Sequence, residues 1–533
     1  MTCILPSQAQ HKQPNIIFIL SDDHAYQATG AYGNKQVQTP NIDRLAREGA
    51  KFNNTFVANS ICGPSRATFL TGKYSHKNGY TENEQEHFDV SQFTFPRLLQ
   101  QHGYQTAWIG KLHLGSLPVG FDYFNILPGQ GQYVNPDFIN NNGDTTRYTG
   151  YVTNLITDFL FDWLKERDQD KPFFAVVGEK ATHREWLPDI QDLGAYDNVN
   201  FDLPRTFYDD YATRLAAQQQ DMSIAKTLTL RYDLKVNRRF ILKPFEEMKP
   251  SLIEELKQIY PDGRHFTEDY LKRYYGTDVF LASRMNAEQQ QAYQDYYDKI
   301  TKEFKEKKLT GNALTEWKFQ RYLKDYNATA KSMDRNIGRI LQYLDSTGLN
   351  RNTIVIYASD QGFYMGEHGW FDKRFMYDES LRTAFLMRYP GVVSPDTQVD
   401  QMVSNIDWAP TILDIAGVKS PAEVQGKSVL PLVKRKAVKG WRDAFYYHYY
   451  EYPEPHRVSP HFGLRTKDYL LIRFYKGTDS WELFDLKNDP HQLKNVYGQS
   501  KYGAVQKKLK NTLRQQILKY EDKEALGIFD KEI

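Results

Sequence analysis

The sequence predicts an α/β fold: a large, mostly parallel central sheet sandwiched by helices, followed by a smaller C-terminal α+β subdomain carrying an antiparallel sheet. Three observations point there. Asn15–Leu20, Phe173–Gly178 and Thr353–Ser359 are apolar runs of strand length, the pattern of strands buried on both faces of a parallel sheet. From Ala444 onward, short aromatic and aliphatic segments (444–450, 462–466, 469–474, 482–486) read instead as antiparallel strands before a charged closing helix. The chain of 533 residues is long enough for one large domain and a smaller one.

Acids and bases nearly balance at a formal net charge of +2, so no global polyanion-binding surface and no nucleic-acid partner is expected. No apolar run approaches the length of a membrane span. MTCILPSQAQ reads as the tail of a secretory signal, with Ser7 and Ala9 at small-residue cleavage positions. Residues 1–13 are therefore expected to be a signal remnant or a disordered N-terminus, and the protein to be exported, periplasmic or secreted. The main domain is expected over 14–433, with a helical, Tyr-rich insertion at about 203–344. A basic linker, Lys434–Lys439, precedes the subdomain at 440–533.

The first strand ends in Ser21-Asp22-Asp23-His24, and the Thr353–Ser359 strand ends in Asp360-Gln361-Gly362. Acids at the carboxyl ends of two such strands lie where open α/β sheets bind ligands, and together they suit a hard cation. Thr39-Pro40-Asn41-Ile42-Asp43 opens a helix. Cys62-Gly63-Pro64-Ser65-Arg66 follows; of the two cysteines, Cys3 falls in the segment expected to be removed, so Cys62 has no disulfide partner in the mature chain. Gly63 and Pro64 bend the backbone, Ser65 is placed to cap a helix, and Arg66 sits one turn on. This presents a thiol at a helix N-terminus in a positive environment. The strand Gln105–Gly110 leads into Lys111-Leu112-His113, and alternation puts Lys111 and His113 on one side. Phe173–Gly178 runs into Glu179 to His183, and the helix around Asp334–Leu341 feeds the Asp360 strand. The polar, glycine-rich stretch Gly366 to Ser380 holds Asp372, Lys373 and Arg374; if extended, Lys373 points one way and its neighbours the other.

CGPSR followed by ATFLTG resembles the signature of the type I, formylglycine-dependent sulfatases of the alkaline phosphatase superfamily. TPNIDRLA, Gly110-Lys-x-His-x-Gly115 and the FDKRFMYDES loop resemble further segments of that family, so the likeness covers nearly the whole chain. The resemblance implies that a formylglycine-generating or sulfatase-maturing enzyme oxidises Cys62 to formylglycine (3-oxoalanine). It also implies Ca²⁺ held by Asp22, Asp23, Asp360, Gln361 and the modified Cys62; Gln361 stands where Asn is commoner. By the same resemblance a hydroxyl of the hydrated aldehyde attacks sulfur, with Asp360 as base, and Arg66 fixes the hydrate. Lys111 and Lys373 neutralise the sulfate, His183 protonates the leaving oxygen, and His113 takes the proton that lets sulfate depart. Thr182-His183 replaces the usual Pro-His. Asp372, Arg374, His456 and His461 are candidate sugar contacts, with a mutual brace the competing reading for Asp372 and Arg374; His448, Tyr450 and Glu451 would complete the rim.

The function so implied is hydrolysis of sulfate esters on a carbohydrate, with a texture most like bacterial N-acetylglucosamine-6-sulfatases and algal polysaccharide (ulvan, carrageenan) sulfatases. Two alternatives stay open. One is a phosphomonoesterase or phosphodiesterase of the same superfamily, which would use an unmodified Ser or Thr and two Zn²⁺. The other is an inactive carbohydrate-binding homologue.

Overall fold

Each apolar run of the N-terminal two thirds forms a strand, and the register of those strands sets the level at which the chain turns into loops. In the computed structural model, which describes residues 13–83, 85, 87–259, 266–434 and 438–532, the principal strands are β1 (Asn15–Ser21), β2 (Ala50–Phe52), β3 (Gln105–Lys111), β4 (Tyr123–Leu127), β5 (Phe173–Gly178), β6 (Thr353–Ser359) and β7 (Phe385–Arg388). They lie in a ten-stranded sheet in the order Thr397–Val399, β2, β7, β6, β1, β5, β3, β4, then the hairpin Asp137–Asn140 and Thr145–Arg147. β6, β1, β5, β3 and β4 pair in parallel, whereas β7 runs antiparallel to β6 and β2. The expected signal segment through residue 12, with Cys3, and linker residues 435–437 lie outside the described residues. Among the described residues no helix is long and apolar enough to cross a membrane.

The sheet is covered on both faces. Phe18 turns to one face, with ring centroids 4.5 Å from Phe69 and 5.4 Å from Trp408. Ile17 and Ile19 turn to the other, into a cluster with Ile156, Leu160, Ile337 and Leu341. The covering helices include α1 (Pro40–Arg47), α2 (Cys62–Thr71), α3 (Val152–Glu166), α5 (Glu268–Ala282), α6 (Ala287–Lys307), α7 (Gly311–Thr347) and α8 (Trp408–Ile415), while α4 (Phe245–Ile259) packs on α5 in a cluster of its own. Each such buried aliphatic or aromatic side chain contributes about 1.5–3 kcal/mol.

The insertion departs from the expectation of helix throughout. Residues 203–244 hold only the short helix Leu215–Gln219, and α4 to α7 follow. The buried apolar residues Phe207, Ile224, Leu228 and Leu234 of 203–244 make no sustained i, i+3/i+4 stripe. They peg an irregular segment against α7 instead, in one cluster with Phe319, Tyr322 and Tyr326.

The C-terminal strands β8 (Ala444–Tyr449), β9 (His461–Thr466), β10 (Tyr469–Phe474) and β11 (Ser480–Asp485) form the expected antiparallel sheet in sequence order. Alternation assigns its two faces. Phe462, Leu464, Leu471 and Leu483 pack on the closing helix α9 (Gly503–Tyr520) through Leu509, Leu513 and Ile517. Phe445, Tyr447, Tyr449 and Ile472 pack on Trp370, Phe375 and Tyr377. The small sheet thereby clamps the loop that follows β6.

Candidate active site

The register brings four strand ends to one level: Ser21 pairs with Ser359, Leu20 with Gly178, and Gly178 with Gly110. Gly110 has φ +97°, and a Cβ there would meet the Gly178 carbonyl, so glycine permits this close approach. The next residues, Asp22, Asp360 and Glu179, leave the sheet together beside Lys111, the last residue of β3. The N-terminus of α2 points its first residue, Cys62, at the same spot.

The helix begins one turn earlier than the sequence suggests. Ile61 is extended and Cys62 is already helical, so Ser65 is not a cap; its hydroxyl donates to the Asp360 carbonyl inside the structure. Pro64 is tolerated because first-turn N–H groups have no intrahelical acceptor. The N–H of Gly63 finds Asn83 Oδ1 at 2.9 Å.

Cys62 Sγ lies 3.2 Å from Asp22 Oδ1, 3.4 Å from Gln361 Nε2 and 3.7 Å from Lys373 Nζ. Lys111 pairs with Asp22, and Lys373 Nζ donates to both Asp23 oxygens at 2.7 and 2.6 Å. Arg66 donates through Nε to Asp360 Oδ2 at 3.0 Å and through Nη1 to the Lys111 carbonyl at 2.7 Å. His183 Nε2 is 3.9 Å from Asp23 Oδ2. Its Nδ1–H donates to the Arg184 carbonyl at 2.6 Å, which leaves Nε2 facing the cluster. His113 is not set by strand alternation: β3 has ended and His113 sits at φ 57°. Asp23, Asp372 and Arg374 also hold positive φ (62°, 77° and 99°), a concentration of strained backbone typical of functional loops.

The charges explain the protonation states. Asp22 is held well below the usual carboxylate range: burial opposes this, but Lys111 heads the charges that outweigh it. Burial and the Asp22 charge push Asp360 up to about 7, and burial also raises Asp23. The Cys62 thiol is raised by burial and by Asp22, so the unmodified side chain is not a thiolate nucleophile. His183 and His113 are held well below their ordinary value by burial and by Lys111.

Asp22, Asp23 and Asp360 bring oxygens within 4.8 Å of one another at 0–1% exposure. Three buried carboxylates in such reach fit a hard dication, and Gln361 fits with them: its Nε2 donates to Asp23 while its buried Oε1 has no partner. A half-turn of the amide presents that oxygen to the carboxylates. The surroundings of Cys62, an acceptor from Asp22 and a donor from Lys373, suit a dihydroxy group better than a thiol.

The candidate sugar contacts divide. Arg374 pairs with Glu451 and lies 3.4 Å from Asp372, which in turn is 3.3 Å from His456 Nε2. With positive φ at both, Asp372 and Arg374 do not lie on one side of an extended strand. They form a buried ionic chain with Glu451 and His456 beside Lys373. His461 is elsewhere: fully buried, its Nδ1 bonded to the Ser459 carbonyl and its Nε2 accepting from Met376 N–H, it has no ring nitrogen left for a sugar. His448 and Tyr450 likewise belong to a buried network on Asp522. Two further residues at the site are Gln130, whose side chain accepts from Lys111 at 2.6 Å, and Lys180, which donates to the Gln130 carbonyl at 3.0 Å. Lys180 lies in the Glu179–His183 stretch already singled out; Gln130 sits in a glycine-rich loop with no sequence signal.

A family model described as Sulfatase matches residues 14–418, and one described as N-sulphoglucosamine sulphohydrolase, C-terminal, matches 366–519. The chain is 44% identical to an N-acetylglucosamine-6-O-sulfatase of Bacteroides thetaiotaomicron, covering 98% of this chain and 89% of that one. It is 24% identical to an ulvan-active sulfatase of Formosa agariphila over 97% of this chain and 83% of the other. Among solved structures, one at 44% identity superposes with a TM-score of 0.87, covers 96% of this chain and 99% of its own, and is described as a complex with its substrate D-glucosamine-2-N,6-O-disulfate. A phosphonate monoester hydrolase of Agrobacterium radiobacter shares the fold alone, at 19% identity and a TM-score of 0.63, over 95% of this chain and 96% of its own.

Proposed function

The chain belongs to the sulfatase family and is a sulfuric ester hydrolase, and from that premise we propose that it removes the 6-O-sulfate of glucosamine residues in sulfated glycosaminoglycan fragments. The observation that carries the substrate class is the likeness to the N-acetylglucosamine-6-O-sulfatase, which at 44% identity spans 98% of the chain and so includes the loop at 366–380. The buried chain Asp372–Arg374–Glu451–His456 supports it, since the acids offer acceptors and the guanidinium a forked donor for sugar hydroxyls beside Lys373.

Asp22, Asp23, Asp360 and Gln361 would hold Ca²⁺, which would add positive charge against the sulfate oxygens. Conversion of Cys62 by a maturing enzyme would supply an aldehyde hydrate as the oxygen nucleophile for sulfur. Lys111, Lys373 and the N-terminus of α2 bind the non-bridging oxygens, and they do so where water is excluded. Arg66 and Ser65 hold Asp360 in place, and its carboxylate is placed to accept a proton from the nucleophile. His183 presents Nε2 to the leaving oxygen as the proposed acid; burial and Lys111 hold it neutral in the free protein, so its proton has to be taken up together with the anionic substrate. His113, kept neutral by burial and by Lys111, is the base that restores the resting state.

The test is turnover after co-expression with a formylglycine-generating enzyme, with conversion of the Cys62 peptide followed by mass spectrometry. Sulfate should be released from N-acetylglucosamine 6-sulfate and glucosamine-2-N,6-O-disulfate. Turnover confined to phosphate esters, or to ulvan or carrageenan fragments, would overturn the assignment.

A further inference from the structure

A cavity of about 530 Å³ opens directly beside the nucleophile. His183 lines it, and a ring nitrogen of His183 lies within 4.8 Å of Cys62 Sγ and an Asp22 oxygen. One wall is the 130–133 loop and the turn after β5. The opposite wall comes from the insertion, including Tyr232 and Arg238, and from α5.

The charged lining is one-sided: Lys180, Arg184, Arg238 and Arg273 face a single carboxylate, Glu185. Two of these cations are neutralised from behind. Arg184 is held by both oxygens of Asp233, at 2.5 and 2.9 Å, and Arg238 by Asp278 at 2.9 Å. The other two are not. Lys180 is 4% exposed, donates to the Gln130 carbonyl, lies 4.7 Å over the Tyr133 ring and has no carboxylate in ion-pair reach among the described residues. Arg273 is exposed on α5 with no carboxylate partner among the described residues. Arg238 adds a buried Nη1 without an acceptor. Asp22 and Glu185 act on the Lys180 ammonium only from beyond ion-pair distance and burial outweighs them, so a cation kept in the cavity wall without a carboxylate partner is suited to an anion that arrives with the substrate.

Resting on the function assigned above, we propose that this cavity is a subsite for a second anionic group, a sulfate or carboxylate, carried by the same glycan fragment whose sulfate ester lies at Cys62. Lys180 receives it at the inner end and Arg273 at the mouth, with the sugar against Tyr133 and Tyr232. The enzyme is then selective for multiply charged fragments over singly sulfated sugars.

Arg273→Ala, on an exposed position, and Lys180→Met, which keeps the bulk, test this in the matured enzyme with glucosamine-2-N,6-O-disulfate and N-acetylglucosamine 6-sulfate as paired substrates. Arg273→Ala should lose about tenfold in kcat/KM on the disulfate, the factor that corresponds to roughly 1.4 kcal/mol, and less than twofold on the monosulfate; Lys180→Met, beside Gln130 at the site, should lose about tenfold more on the disulfate than on the monosulfate. The wild-type preference should also shrink as salt is raised. Calorimetric binding of the two ligands to the unmodified Cys62 protein separates the two assignments. Tighter binding of the disulfate that Arg273→Ala abolishes sustains the subsite even if neither ligand is turned over, an outcome that would sink only the assigned reaction. Equal wild-type affinity for the two ligands, or equal losses on both in either variant, overturns the subsite.

Discussion

Glu179 shows how a single side chain can be buried beside a charged centre without joining it. It follows Gly178 off β5, its N–H bonds to the Leu20 carbonyl, and its carboxyl is 0% exposed with no ion-pair partner among the described residues. Burial pushes it up to about 8, so it is largely neutral in the folded protein at pH 7. Because the folded value lies above the ordinary 4.5, its contribution to stability is full below about pH 4.5 and is lost as pH rises through about 8. Across that window the loss amounts to a few kcal/mol, at roughly 1.4 kcal/mol per unit. Glu179→Gln stays neutral at every pH. It should match the wild-type Tm near pH 5 and exceed it by several degrees at pH 8.5; parallel Tm–pH curves for the two proteins would refute the assignment. Residues of this kind were the least legible in the sequence. Asp22, Asp23 and Asp360 announce themselves as acids ending apolar runs, whereas the burial of Glu179 and Lys180 depends on which loop closes over them. His461 misleads for a related reason. In a strand buried on both faces, period-two alternation does not separate a rim from a core, and Phe375, Tyr449 and Phe474 enclose this ring.

At the scale of elements, the site is a meeting of strand ends with one helix N-terminus. This much was readable, because uninterrupted apolar runs fix both the strand and the point where it stops. The extent of the helices in the insertion was not, since residues 203–244 are held by long-range contacts with α7 rather than by local periodicity. The convergence has an electrostatic consequence. Register alone forces Asp22 and Asp360 together at the ends of neighbouring strands, with Asp23 adjacent, and the cations Lys111, Lys373 and Arg66 offset that charge. A cation held by the carboxylates should therefore raise stability by mass action, by about 2.7 kcal/mol when its concentration reaches a hundredfold its Kd. Millimolar Ca²⁺ added to chelator-treated protein should raise Tm by several degrees, and Asp23→Asn should reduce the gain. No shift with Ca²⁺, or an equal shift in the variant, would remove the cation site.

At the scale of the whole molecule, the C-terminal sheet is the second wall of the active site. The loop after β6 carries Lys373 to Cys62. It is braced within itself, as by Tyr364 N–H to the Asp372 carbonyl and Arg374 N–H to Ser380 Oγ, and by the insertion through Phe371 N–H to the Met222 carbonyl. Further anchors come from the other end of the chain. Tyr447 donates to the Arg374 carbonyl at 2.6 Å, Met376 N–H to His461 Nε2 at 3.0 Å and Tyr377 to Glu482 at 2.8 Å, while Arg465 grips Asp378 at 2.9 Å. Trp370, Phe375 and Tyr377, all 0% exposed, pack against Phe445, Tyr447, Phe474 and Phe484. Uncovering those three aromatic rings alone costs roughly 5–9 kcal/mol at 1.5–3 kcal/mol each, which is comparable to the entire stability of a typical domain. Cutting the chain in the 435–439 linker should therefore not yield an active core. Residues 1–439 expressed alone should bind a hydrophobic dye, lack a cooperative melt and release no sulfate even when Cys62 is fully converted. A milder variant separates positioning from folding: Tyr447→Phe removes the hydrogen bond to the Arg374 carbonyl and the one its hydroxyl accepts from Ser60 N–H, about 1 kcal/mol each, and keeps the ring packing. It should melt within a few degrees of wild type yet lose kcat in the same proportion on glycan and aryl sulfates, because Lys373 serves both. A truncated chain with wild-type Tm, or a Tyr447→Phe enzyme with unchanged kcat, would show that the loop holds its shape without the second sheet.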